Sequence, residues 1–374
     1  MSETFDESHV LQLVSNIRTQ FLEAYPSADS LHKIKSSTKL EGSEPLVELG
    51  KLASIIKAHS TKVGIIYNPD TLFKSKQNIS TAFKELQAFT NSVFYLLSLL
   101  PLFYSSKHYA EYLLDELDAC LLGLLGGIGN LCDEIERLMH VNDVQADADD
   151  SKNAKPLDTD KRPDHDDVRL ISIGKIWASC DTFTKISSSG NLGLLNNKIQ
   201  ISSKLINDTL TEVEEWLEDP QLEDSDPFGL DNSFSGDESG QDESNSGDEG
   251  EKQVLEQMVK FIKLWQNNLK MIKLLLSSFS KSISSNDYKS KEKDGESLTK
   301  LNQLHGATVA KIDDLISTTF MLSQDFDPED KELKEIVEDL NDSIKKIVKI
   351  IKLLNRNEEK KGKWVEVWEN KFFS

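Results

Sequence analysis

The sequence predicts an all-α protein, an up-and-down bundle of long helices with two acidic disordered insertions. Three observations carry this prediction. Apolar residues recur at intervals of three and four through the periodic stretches, and no β-type alternation of useful length precedes residue 143. The breaks between these stretches hold Pro, Gly, Ser or Asp. Two further segments are so acidic, and so poor in apolar residues, that they cannot bury enough surface to order themselves.

Val10, Leu11, Leu13, Val14, Ile17, Phe21 and Leu22 lie at helical spacing, with Pro26 beyond them. A second helix is predicted from Pro45 to about Val63, and Asn68-Pro69 marks a break. A third runs from about Ser75 to Leu100, with Ile79, Phe83, Leu86, Phe89, Val93, Leu96 and Leu97 along one side, and Pro101 ends or kinks it. A fourth covers roughly Ser106 to His140. Asp143 to Asp167 then reads as a linker, with Pro156, Pro163 and nine Asp against four Lys or Arg. Helix resumes near Val168 and is broken at Ser187–Asn191, and a further helix covers about Leu192 to Leu217. Glu218 to Glu251 holds 13 acidic residues and no Lys or Arg. Beyond it lie helices over about Lys252–Ser284, Ser297–Leu322 and Pro328–Asn357.

This organisation gives an N-terminal helical bundle region over 1–142, an acidic linker over 143–167 and bundle helices over 168–217. An acidic Ser/Gly/Asp-rich insert follows over 218–251, then a C-terminal helical region over 252–357 and a tail over 358–374. The pattern leaves open whether the helices close into one bundle or two.

The 374 residues suffice for one large helical domain or two smaller ones. A hydrophobic content of 38% fits a chain that is partly solvated linker. The formal net charge of -21 repels phosphate backbones and argues against direct nucleic-acid binding. Cys120, Cys132 and Cys180 are too sparse for a disulfide framework and point to a reducing compartment. The stretch MSETFDESHV is acidic and lacks the apolar centre of a signal peptide. The apolar runs Val93–Tyr104 and Ala119–Cys132 fall short of the roughly 18–20 residues of a membrane span. A soluble, intracellular protein is the resulting expectation.

CLLGLLGGIGNLC, Cys120 to Cys132, invites a binding-site reading. A phosphate loop needs a strand before it and a helix after it, whereas YAEYLLDELDACLL ahead of these glycines has helical periodicity. A zinc site needs four ligands in short pairs, and no CxxC is present. Close helix packing explains more. Gly123 and Gly127 share one helix face, Gly126 lies near them, and the leucines between make the helix apolar nearly all round. The cysteines then read as small buried hydrophobes.

No catalytic arrangement accompanies this run. The seven histidines are scattered, none in an HExxH pattern, and no GxSxG or Cys/His nucleophile context occurs. Asp133, Glu134 and Glu136 have His140 at the wrong offset for a di-metal helix motif and read as a solvated face. No catalytic, cofactor-binding or metal residue is assigned, and the chain is expected to be no enzyme.

Ser235, Ser239 and Ser246 each have an acidic residue three positions downstream, a pattern that suits an acidophilic kinase. Pro227, Phe228 and Leu230 belong to a short apolar island, DPFGL, and are candidate docking residues. In the last long helix, Leu333, Ile336, Val337, Leu340, Ile344, Ile347, Val348, Ile351 and Leu354 form a seam. Lys345, Lys346, Lys349, Lys352 and Arg356 lie off it, as a solvated face or as a surface for the acidic insert in cis, an acidic partner or a lipid surface.

The order of these parts resembles the cyclin-D-interacting (cyclin-D-binding) protein family, as a distant, fungal-type member. The resemblance lies in FKELQAFTNSVFYLLSLLP, in YLLDELDACLLGLLGGIGNLCDEI, in the tryptophan helix SIGKIWASCDTF and in NNKIQISSKLINDTLTEVEEWLEDP leading into the acidic DPFGL stretch. It implies a non-enzymatic regulator without a basic DNA-contacting region. Such a regulator binds cyclin or helix-loop-helix-type transcription factors and restrains proliferation in nucleus and cytoplasm. A cytoskeletal or membrane-associated helical adaptor is the alternative, with a membrane surface the lesser partner.

Overall fold

A computed structural model of the chain describes residues 5–149, 165–222, 247–283, 294–356 and 358–374. The described residues are helices joined by turns, with no strand among them. They fall into two compact units, Met1–Asn191 and Leu192–Ser374. The boundary therefore lies inside the stretch 168–217 that the sequence groups together.

In the first unit, α1 spans Glu7–Ile17 and continues into a π-helical turn, Arg18–Glu23. Asp6 caps α1 by accepting from His9 N at 3.2 Å. Proline at the first position opens α2, Pro45–Ile66, and Ser75 caps α3, Lys76–Leu99, by accepting from Asn78 N at 3.2 Å. The seven apolar residues that the sequence places along one side of α3 are all buried. Each such side chain contributes about 2 kcal/mol on leaving water. Lys76–Tyr104 is long and apolar enough to cross a membrane by length and composition, which corrects the shorter run expected above. Half of its most apolar window is buried, while Phe94 and Tyr95 of the same helix are exposed.

The next helix, α4, spans Glu111–Asp149, so it runs past His140 into the expected linker. Its buried Asp118 accepts from Tyr104 Oη at 2.5 Å and lies 2.7 Å from His32 Nε2, which satisfies the carboxylate inside the unit. The final helix of this unit is the first part of α5, His165–Glu218. Gly190 interrupts α5 with φ 58 and ψ -165, a left-handed backbone that glycine adopts without a Cβ clash. Asn191 follows at once. Its Oδ1 accepts from Ala110 N at 2.9 Å, its Nδ2 donates to His108 O at 2.7 Å, and its carbonyl accepts from Tyr112 Oη at 2.7 Å. One buried asparagine thus satisfies the start of α4.

The second unit contains the remainder of α5, then α6 (Gly247–Ile283), α7 (Gly295–Leu322), α8 (Lys331–Leu354) and α9 (Glu359–Phe372). The register of α5 on α6 is fixed by Lys270 Nζ with Glu214 at 2.9 Å and Ser280 Oγ donating to Asn196 Oδ1 at 2.5 Å. Asp330 caps α8, accepting from Glu332 N at 2.8 Å and Leu333 N at 3.1 Å. The predicted seam of α8 is buried from Leu333 to Leu354 except at Ile336 and Val337, which are half-buried, and Lys345, Lys346, Lys349 and Arg356 are exposed. Residues 358–374 are no simple tail. They form α9, with Val365 and Trp368 in the core.

Candidate functional site

The most distinctive surface of the second unit is built by α9. Val365, Trp368 and Phe372 follow at three- and four-residue spacing and so share one helix face. Trp368 Nε1 donates to Met271 O of α6 at 2.9 Å, and its ring stacks on Phe372 with centroids 4.9 Å apart. Glu369 pairs with Lys352 of α8. These contacts hold α9 across α6 and the end of α8 but do not close the space between them.

What remains is a groove of about 310 Å³ with an apolar floor of Leu275, Phe279, Ile351, Trp364 and Val365. Trp364 is 37% exposed there. Lys281, Lys360 and Lys361 line the same groove, and among the described residues no carboxylate does. In the surrounding sequence, residues 339–371 hold nine Lys or Arg against six Asp or Glu, and Lys345, Lys352 and Lys363 pair with Asp342, Glu369 and Glu359. A long apolar side chain fits the floor, and carboxylates suit the rim. Among the described residues no group of three or more His, Cys, Asp or Glu could hold a metal ion.

The structure separates the predicted close-packing glycines. A Cβ at Gly127 would lie 3.1 Å from Ile176 Cγ1 and 3.4 Å from Ile176 N, so α5 approaches α4 closely there. A Cβ at Gly123 would make an ordinary contact with Ser179 Oγ at 3.4 Å. The expectation for Gly126 is wrong, because a Cβ there meets nothing within 4 Å. The three cysteines are free and buried, and burial pushes each thiol up to about 12, which keeps them protonated and unreactive at neutral pH. The candidate phosphorylation sites Ser235, Ser239 and Ser246 and the candidate docking residues Pro227, Phe228 and Leu230 lie outside the described residues.

Two matched segments decide the affiliation. Residues 48–219 match the domain described as Grap2 and cyclin-D-interacting, N-terminal, and residues 223–349 match Grap2 and cyclin-D-interacting, C-terminal. The chain belongs to the Grap2 and cyclin-D-interacting family. It is also 34% identical over 372 residues to an uncharacterized protein of Saccharomyces cerevisiae, a match covering 99% of this chain and 98% of the relative. The first family match ends at the close of α5, and the second takes in the acidic insert. The second match stops at residue 349, so Ile351 and the whole α9 wall of the groove lie beyond the family's matched span.

Sequence reasoning missed the groove. The available signal was the spacing of Val365, Trp368 and Phe372 beside Lys360, Lys361 and Lys363.

Proposed function

We propose that this chain is a non-enzymatic protein-interaction regulator that binds cyclin or helix-loop-helix-type partners and restrains cell-cycle progression or transcription. Family membership carries the reading, because the family's description names cyclin-D interaction. The apolar, lysine-rimmed groove supports it by offering a surface for another macromolecule. In this reading the protein works in cytoplasm and nucleus, and an acidophilic kinase modifies Ser235, Ser239 and Ser246 to change the charge of the insert.

Affinity purification of the full chain from native extract, with mass spectrometry of bound proteins and of the chain's own phosphopeptides, tests this. A stoichiometric cyclin or helix-loop-helix protein is expected. Recovery of no stoichiometric protein partner, or measurable turnover of a small molecule by the purified chain, would overturn the reading.

A further inference from the structure

We infer that the furrow between α6 and α8 is a docking site for an amphipathic helix of a partner protein, and that α9 is the chain's own competitor for it. The inference rests on the reading of this chain as a protein-binding regulator and adds the surface, the form of its partner and a means of control.

The furrow already holds α9 in the way a groove receives a helical ligand. Val365, Trp368 and Phe372 fall at i, i+3 and i+7, the spacing of the anchors in helix-in-groove recognition. Trp368, the central anchor, is buried and donates from Nε1 to Met271 O at 2.9 Å. Length agrees as well. Trp265 to Phe279, the α6 side of the furrow, spans about 21 Å of helix, and the 14 residues of α9 span about 21 Å.

This seat is not filled. Of the 14 residues of α9 only Val365 and Trp368 are buried. A pocket of about 310 Å³ stays open beside its first turns, over Leu275, Phe279 and Ile351. Another of about 420 Å³ stays open beside its end, over Trp265, Leu333 and Val337. The Lys352–Glu369 pair that ties α9 to α8 is about one-third exposed on each side and contributes little. A helix with bulkier anchors at its two ends buries more apolar surface in the same furrow and displaces α9.

The chain's segments outside the described residues do not supply such a helix, which needs three bulky apolar side chains on one face. Residues 223–246 hold Phe228, Leu230 and Phe234, and the step from Phe228 to Leu230 turns about 200° around a helix, so the three share no face. Residues 150–164 offer only Leu157, residues 284–293 only Tyr288, and residues 1–4 only Met1. The helix therefore comes from another molecule. Control follows from the tether. Residues 355–358 join α9 to α8, which keeps the competitor at an effective concentration of about millimolar. A partner binds only the fraction of molecules whose α9 is out, and its apparent affinity falls by that fraction.

The test uses the full-length protein and a fluorescein-labelled helical peptide of Ala, Glu and Lys with Leu, Trp and Phe at the spacing of residues 365, 368 and 372. Fluorescence anisotropy should show saturable binding that is at least tenfold tighter to full-length Trp368→Ala, and to a chain ending at residue 357, than to wild type. Binding should disappear when the peptide's three anchors become Ala. Equal affinity for wild type and both variants, or no saturable binding to either variant, overturns the proposal. Loss of a cooperative melt in both variants does so too, since α9 would then be core that no partner displaces. A peptide of residues 223–246 that competes off the labelled helix would assign the furrow to the insert. Sedimentation equilibrium showing a dimer that the chain ending at residue 357 loses would assign it to a second copy exchanging α9. Either result also overturns it. Affinity purification with wild type and Trp368→Ala separates the two readings, and more partner should come with the variant. A partner retained equally by both refutes the furrow and leaves the protein-binding function standing, whereas a partner captured by neither refutes that function while the peptide result still judges the furrow.

Discussion

Gly126 and Gly127 are neighbours in sequence and opposites in energetics. A glycine inside a helix costs roughly 1 kcal/mol relative to alanine unless its missing side chain is used. Gly126 faces open space, so Gly126→Ala is expected to raise unfolding free energy by about 0.5–1 kcal/mol in urea denaturation. Gly127 faces Ile176, and Gly127→Leu should lower it by about 1–3 kcal/mol because both side chain and backbone of α5 would have to move. The run was legible as close packing, but the phase of the contact was not. Adjacent helix positions differ by about 100°, and only the placement of α5 decides which glycine meets it. A second residue, His305, was read only as scattered. It is buried in the second unit, with Nδ1 2.9 Å from Ser202 Oγ and Nε2 without a hydrogen-bond partner among the described residues. Burial, reinforced by the Lys198 cation, pushes its pKa down from 6.5 to about 4. Between those values the unfolded chain binds a proton that the folded chain refuses. Stability should therefore fall as pH drops from about 6.5 to about 4, by on the order of 3 kcal/mol in total. Denaturation of wild type and His305→Gln across this range checks it, with a shallower pH slope expected for the variant.

Among the elements, α8 and α9 show what periodicity can and cannot reveal. The seam of α8 repeats over six turns, and burial follows it from Leu333 to Leu354 apart from the half-buried Ile336 and Val337. In α9 the same spacing occupies 14 residues rich in Lys and Glu, with Gly362 inside. A helix that short gains little from its own propensity and owes its order to packing on α6, a contact no local window contains. Trp368 carries that contact through its buried ring and its hydrogen bond to Met271 O. Trp368→Ala is therefore expected to cost about 3–5 kcal/mol, read as a lower denaturation midpoint. Glu369→Gln should cost less than about 1 kcal/mol, because the Lys352–Glu369 pair is about one-third exposed on each side. If the two variants proved equally damaging, the ion pair rather than the tryptophan would be holding α9.

For the whole molecule, the two-unit division was the least legible feature. Apolar spacing continues on both sides of residues 187–191, so a sequence reader sees a break within one group of helices. What sets the boundary is a backbone conformation and a long-range clasp. Gly190 leaves the helical region, and Asn191 closes three hydrogen bonds onto residues about 80 positions earlier in the chain. Each unit is large enough to bury a core of its own, since domains of about 150 residues bury nearly 70% of their unfolded surface. Fragments 1–191 and 192–374 should therefore each fold, with helical circular dichroism and a cooperative melt. Within fragment 1–191, Asn191→Ala strips the partners from the buried Ala110 N and from His108 O of an exposed residue, and leaving the buried N–H unsatisfied costs about 1–3 kcal/mol. That variant should melt well below the wild-type fragment. A wild-type fragment 192–374 without a cooperative transition would show that its core depends on residues before Leu192, and an unchanged melt for Asn191→Ala would show that the start of α4 is held by something other than the clasp.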